Sequence, residues 1–283
     1  MPRSFGSRLE VAFEQHGQLC VGIDPHAALL AEWGLSDDAR GVEDFALRVI
    51  DAAAGRVGIV KPQVAFFERH GSAGFAALER IAGIARDAGL LVIMDAKRGD
   101  IGSTMDGYFD AWLGKGAPFY SDALTVSPYL GIDSLANVMG VASERGKGLF
   151  VLAATSNPEG ERHQLAESKG KSVASDIWHA LNKPNSVAAG PGDSIGSFGA
   201  VLGATVDLRR FGIDLELAES PLTPILAPGF GAQGARLGDI KRLFSAHAHA
   251  VLASVSRSVL EAGPHGLVAS IEAAKRELGD GLA

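Results

Sequence analysis

The feature that most constrains this chain is a short apolar run that occurs eight times, each time ending in a polar or glycine-rich turn. The runs cover residues 19–23, 57–60, 90–94, 123–126, 149–154, 199–204, 224–227 and 250–253. Short continuous apolar runs of this kind are the pattern of strands buried on both faces, as in a parallel sheet. Helical patterns lie between them. Phe45, Val49 and Ala53 recur every four residues within 42–54, and Leu78, Ile81 and Ala85 share one face of 74–88. Segments 133–144 and 234–246 carry similar patterns. Eight strands alternating with helices predict an α/β chain folded as a (β/α)8 TIM barrel, in preference to an open doubly wound sheet.

The strand starts are mostly 25 to 38 residues apart, about one βα unit each, with one gap of 50 between the fifth and sixth. That gap holds Lys169, Lys171, Lys183, Pro184, Asn185, Pro191 and several Gly and Ser residues. It predicts an insertion at 157–197, with one helix at about 172–181 and a mobile loop, inside a single domain spanning 1–283. A length of 283 residues suits one barrel of that class.

Hydrophobic residues make up 47% and charged residues 21%, the balance of an ordinary globular protein. A net charge of −7 argues against a sequence-independent grip on nucleic acid, which needs a broad basic surface. A few local cations still suffice for a small anion. No apolar run approaches the length of a membrane span, and Arg3, Arg8 and Glu10 interrupt any signal-peptide core. The single cysteine, Cys20, lies in an apolar run and reads as a buried, inert thiol, which suits a reducing, cytoplasmic location. The eight histidines show no metal-ligand spacing, and His247 and His249 read as a solvated helix end. No metal and no cofactor motif is expected.

In a barrel, functional groups gather where strands end and loops begin. Asp24 follows the first strand, Lys61 the second, and Asp95 and Lys97 close the third. Asp122 opens the fourth, Ser156 follows the fifth, Gln233 the seventh and Arg257 the eighth. Any one of these alone reads equally as a solvated strand end. Their convergence on one rim is what marks a site.

The densest cluster runs from Met94 to Thr104. Asp95 and Lys97, two apart on a strand, face the same way, toward the barrel mouth. Asp100 follows a glycine near a helix start, where a carboxylate is electrostatically favoured, so a capping role also fits it. An Asp, a Lys and a second Asp within six residues place an ammonium between carboxylates. Such a lysine stays protonated, which suits a general acid. Separately, Pro228-Gly229-Phe230-Gly231-Ala232-Gln233-Gly234 forms a glycine-rich turn feeding a helix, and Arg257 follows the eighth strand. Loops after strands seven and eight are the usual phosphate site of this fold, through backbone N–H groups and a guanidinium.

With Val21-Gly22-Ile23-Asp24-Pro25, Val60-Lys61-Pro62, Asp95-x-Lys97-x-x-Asp100-x-x-x-Thr104, Ala154-Thr155-Ser156-Asn157-Pro158, the 227–234 turn and Ser256-Arg257 in order, the chain resembles the orotidine 5′-phosphate decarboxylases, specifically their longer bacterial subgroup. The resemblance covers nearly the whole chain. It implies cofactor-free decarboxylation of orotidine 5′-phosphate to UMP, with Lys61, Asp95, Lys97 and Asp100 as an alternating catalytic array. It further implies that Asp24 and Lys61 hold ribose hydroxyls, that Ser156 meets the pyrimidine, and that Pro228, Gln233, Gly234 and Arg257 take the phosphate. In a homodimer, Asp100 and Thr104 would enter the partner's site. Two other readings stand beside it: a Mg²⁺-dependent sugar-phosphate decarboxylase or aldolase on the same barrel, and a non-catalytic nucleotide-binding barrel. The former places a carboxylate at the end of the second strand, where this chain has Lys61.

Overall fold

The computed structural model describes residues 2–217 and 220–283. Eight parallel strands close into a barrel: β1 (Leu19–Ile23), β2 (Ile59–Pro62), β3 (Leu91–Arg98), β4 (Ala123–Val126), β5 (Gly148–Ala154), β8 (Phe198–Leu202), β9 (Ile225–Ala227) and β10 (Val251–Val255). β1 pairs with both β2 and β10, which closes the ring. Between β5 and β8 lies a two-residue-per-arm hairpin, β6 (Glu167–Ser168) and β7 (Lys171–Ser172). The fold is the (β/α)8 barrel that the alternation predicts.

Period-two alternation sorts the strand residues into an outer set under the helices and an inner set filling the barrel. The outer set includes Val60, Val92, Leu124, Val151 and Val251, packed against Phe45, Leu78 and Ile81 of the surrounding helices. Cys20, Ile59, Ile93, Ala123, Phe150 and Leu252 form the interior. The helix Phe5–His16 plugs the barrel's lower end. Phe5 meets the Phe150 ring edge-on at 6.0 Å, and Leu9 is fully buried beside it. Gly6 is required there, since a Cβ would fall 2.0 Å from the Ile195 carbonyl oxygen.

Two expected segments differ. Only Ile240–Phe244 of 234–246 is α-helical, after a 3-10 turn at Leu237–Asp239. The preceding residues stay in a tight turn closed by Gly231 N–H to Ala235 O at 2.8 Å and Gly234 N–H to Gly231 O at 2.9 Å. His247 is not solvated: it is 3% exposed, its Nδ1 lies 3.1 Å from the Leu215 carbonyl, and its ring meets Trp178 edge-on. Burial lowers its pKa, favouring the neutral ring. His249 is exposed, as expected.

The long fifth-to-sixth connection carries more secondary structure than its composition suggests: helices Pro158–Gln164, Val173–Ala180 and Asn182–Ala188, plus the β6–β7 hairpin. It is stitched into the barrel wall by Asn185, which is fully buried. The Asn185 amide donates to Phe198 O at 2.7 Å and accepts from Phe198 N–H at 2.8 Å. Ala200, two residues on, donates to Pro224 O, so Phe198 presents its backbone groups to the same side. β8 and β9 pair only from Ala200 and Ile225 onward. The Asn185 side chain thus stands in for the missing β9 residue.

No helix among the described residues is long and apolar enough to cross a membrane.

Candidate active site

Two residues further up each strand, the inward-facing layer becomes the floor of a cavity of about 510 Å³ at the C-terminal mouth. Lys61 of β2, Asp95 of β3 and Thr125 of β4 form a polar half of that floor. Leu152, Val201 and Leu226 of β5, β8 and β9 form an apolar half. Asp24, Gln63, Lys97, Ser156, Pro228, Gln233 and Arg257 line the walls. The sequence places its site candidates on one rim, and the structure brings these together around one hollow.

Asp95 is the hub. Its Oδ2 accepts from Lys61 Nζ at 3.0 Å and Gln63 Nε2 at 3.2 Å. Its Oδ1 accepts from Lys97 Nζ at 2.6 Å and Thr125 Oγ1 at 2.9 Å. Asp95 and Lys61 are each 8% exposed, whereas Lys97 reaches into the open cavity. Burial by itself would push the Asp95 carboxyl upward, but the Lys61 and Lys97 ammonium groups outweigh it and hold the carboxyl far below its usual range. Burial would likewise depress Lys61, and Asp95 and Asp24 reverse that, so Lys61 is held more basic than an ordinary lysine. The floor therefore carries two cations sharing one anion.

Lys97 reaches Asp95 by a route that strand alternation alone does not describe. The β3–β4 register slips between Met94 and Arg98, and Lys97 adopts a left-handed φ of 50°. That bulge aims its side chain back over the mouth.

The remaining candidates divide. Asp24 Oδ1 is buried without a hydrogen-bond partner among the described residues and faces the hollow, as a ligand-binding oxygen would. Ser156 Oγ donates to Gln233 Oε1 at 3.1 Å, joining the loops after β5 and β9. Gly234 shapes its turn with a φ of 106° but lies outside the cavity lining. Asp122 is a correction: parallel strands start at the lower rim, and there it meets Arg8 and accepts from Val92 N–H at 2.9 Å. Cys20 is fully buried, and desolvation pushes its thiol up to about 12, too high for a nucleophile.

Asp100 and Thr104 do not line the cavity of their own chain. Among the described residues Lys97 forms an ion pair with Asp95 alone, so one chain does not set the ammonium between two carboxylates. The turn at Gly99 carries Asp100 away, and its Oδ1 accepts from Ile101 N–H at 2.9 Å. Asp100 is not the helix cap either; Ile101 holds that position before Gly102–Leu113.

Thr125 and Gln63 went unmarked in the sequence. A threonine inside a strand reads as a β-branched filler, and Gln63 stands just past the Lys61-Pro62 strand end. Their one available signal is parity: Thr125 is two residues above the inward-facing Ala123, and Gln63 two above Lys61.

Comparison with known proteins bears on the fold and the family. A Streptomyces coelicolor protein named orotidine 5′-phosphate decarboxylase is 53% identical over 262 residues, covering 92% of this chain and 91% of its own. A Nocardioides protein of the same name is 52% identical over 260 residues, covering 90% and 91%. A crystal structure from Streptomyces avermitilis superposes with a TM-score of 0.91 at 48% identity, over 99% of this chain and 97% of that one. The structure of Leishmania donovani OMP decarboxylase superposes with a TM-score of 0.77 at 28% identity, over 99% and 100%. Residues 17–271 match the model of one family. The chain belongs to the orotidine 5′-phosphate decarboxylase / HUMPS family.

Proposed function

We propose that this chain decarboxylates orotidine 5′-phosphate to UMP and CO₂, the last step of making a pyrimidine nucleotide. The observation that carries the reading is the Lys61–Asp95–Lys97 triad on the polar half of a floor whose other half is apolar. A pyrimidine ring laid across that floor sets one face on Leu152, Val201 and Leu226 and its reacting edge near Lys97. Breaking the bond between C6 and the carboxylate leaves the electron pair on C6, with no adjacent carbonyl to absorb it. A fixed ammonium is the appropriate electrostatic partner for that charge. Lys97 then delivers a proton from Nζ to C6, and CO₂ departs. A carbanion at C6 is a far stronger base than a carboxylate, and Lys61 stays paired with Asp95, so the Lys97 proton passes to carbon.

Asp24 and Lys61 suit ribose hydroxyls, and Ser156 with Gln233 the pyrimidine edge. Pro228, Gln233, the Gly234 turn and Arg257 suit the phosphate. We read the enzyme as a cytoplasmic homodimer in which Asp100 and Thr104 complete the partner's site. Three observations support the shared site. Asp100 and Thr104 lie outside their own cavity; Ile101 beside them is 60% exposed; and Tyr129 and Leu130, on the loop after β4, are 77% and 53% exposed. Such apolar exposure beside a functional rim suits an interface.

Incubation with orotidine 5′-phosphate should bleach its ultraviolet band with release of CO₂, and exhaustive chelation should leave the rate unchanged. Both oxygens of Asp95 are engaged by ammonium groups, and among the described residues Asp24 is the one other carboxylate lining the hollow, too few oxygens to hold a divalent cation beside two ammonium groups. Activity lost to EDTA and restored by Mg²⁺ would move the chain to the sugar-phosphate reading.

Arg257→Ala should lower kcat/KM for the phosphorylated substrate by about 3 kcal/mol, the scale of a lost charge-assisted bidentate contact. The slow reaction of the unphosphorylated nucleoside should barely change. Equal losses on both substrates would show that Arg257 serves the fold or the chemistry.

A further inference from the structure

We propose that Thr125 is a positioning residue for the reaction: its hydroxyl holds both ends of the Asp95–Lys97 pair and so aims the proton donor. The inference rests on the decarboxylase reading. Across the β3–β4 seam, Met94 pairs with Leu124 and Arg98 pairs with Val126, so Asp95, Ala96 and Lys97 face the single residue Thr125. Two of the β3 residues have no ordinary ladder partner on β4. The Thr125 side chain takes over that duty. Lys97 N–H donates to Thr125 Oγ1 at 2.9 Å, and Thr125 Oγ1 donates in turn to Asp95 Oδ1 at 2.9 Å.

A hydroxyl has one hydrogen and two lone pairs, so this geometry fixes its orientation: hydrogen toward the carboxylate, lone pair toward the amide. Thr125 is 1% exposed, so water does not substitute easily for either bond. The accepted bond pins a lysine whose left-handed φ of 50° is unfavourable for a residue with a Cβ. The donated bond falls on the same carboxylate oxygen as Lys97 Nζ. When Lys97 gives up its proton in turnover, Oδ1 loses that ammonium, and Thr125 then carries a larger share of the oxygen's charge. Loss of the hydroxyl would free the bulge to relax and let the amine drift from C6. Thr125 need not touch the substrate for this.

The test uses Thr125→Val, which keeps the shape and β-branching and removes both bonds, with Thr125→Ser restoring the hydroxyl. Turnover of orotidine 5′-phosphate, UMP affinity and thermal midpoint are measured on wild type and each variant. The Val variant should lose on the order of 10²-fold in kcat, the scale of a misplaced reacting group. Its UMP affinity should change by less than about threefold, and Thr125→Ser should return to within about fivefold of wild-type kcat. If the Val chain does not fold, Thr125→Ala against Thr125→Ser makes the same comparison. A wild type that releases no CO₂ overturns the decarboxylase reading and this inference with it. An active wild type matched in kcat by Thr125→Val overturns the inference alone. So does a Ser variant no better than Val, or a loss of UMP affinity in step with the loss of turnover.

Discussion

Lys97→Ala should leave a folded chain that binds UMP and turns over at least about 10³-fold more slowly than wild type, the combined scale of a lost general acid and a lost electrostatic partner. The structure says why the fold should survive. Lys97 projects into the open cavity, and the bulge that carries it keeps its backbone N–H bond to Thr125 when the side chain and its Asp95 contact are removed. Removing the ammonium takes away one of the four hydrogen bonds to Asp95, while Lys61, Gln63 and Thr125 still serve both oxygens of the carboxylate. UMP has no departing carboxylate, so its affinity should fall little. The measurement is single-turnover decarboxylation beside calorimetric UMP binding. A variant within about tenfold of wild type, a deficit of only about 1.4 kcal/mol, would remove Lys97 from the role of proton donor.

Mixing inactive Lys97→Ala chains with inactive Asp100→Asn chains should restore roughly a quarter of wild-type activity once subunits have exchanged. Lys97 pairs with Asp95 in its own chain, and Asp100 lies outside that chain's cavity. If the partner's Asp100 completes each site, a hybrid dimer holds one doubly defective site and one intact site. Random reassortment makes about half of the dimers hybrid, and half of their sites good. If Asp100 serves its own chain, every site keeps one defect and nothing returns. Mass-verified exchange with no recovered activity would therefore rule out the shared site.

Much of this was legible in the residues, and for physical reasons. Strands buried on both faces leave continuous apolar runs, so the barrel could be counted from its eight strands. What stayed hidden depends on contacts between distant segments. β3 continues past its apolar run to Arg98, but the groups that share the Asp95 carboxylate with Lys97, namely Lys61, Gln63 and Thr125, come from other segments. His247 looks like a surface residue until Trp178, from the long connection, covers it. The left-handed turn at Lys97 has no local sequence signature, and parity turns Thr125 inward without revealing that its hydroxyl accepts the Lys97 amide. Asp122 is different: the direction of a parallel strand alone was enough to send it to the lower rim.

The Asn185 stitch has a consequence for how the molecule comes apart. A side-chain amide that occupies a strand's place leaves Phe198 with an unpaired buried N–H and C=O if the connection is withdrawn. Cleaving the connection near Asn185 would then breach the barrel wall instead of shedding a decoration. The amide protons of Phe198 and of helix Val173–Ala180 should exchange with solvent in the same cooperative opening as the barrel strands.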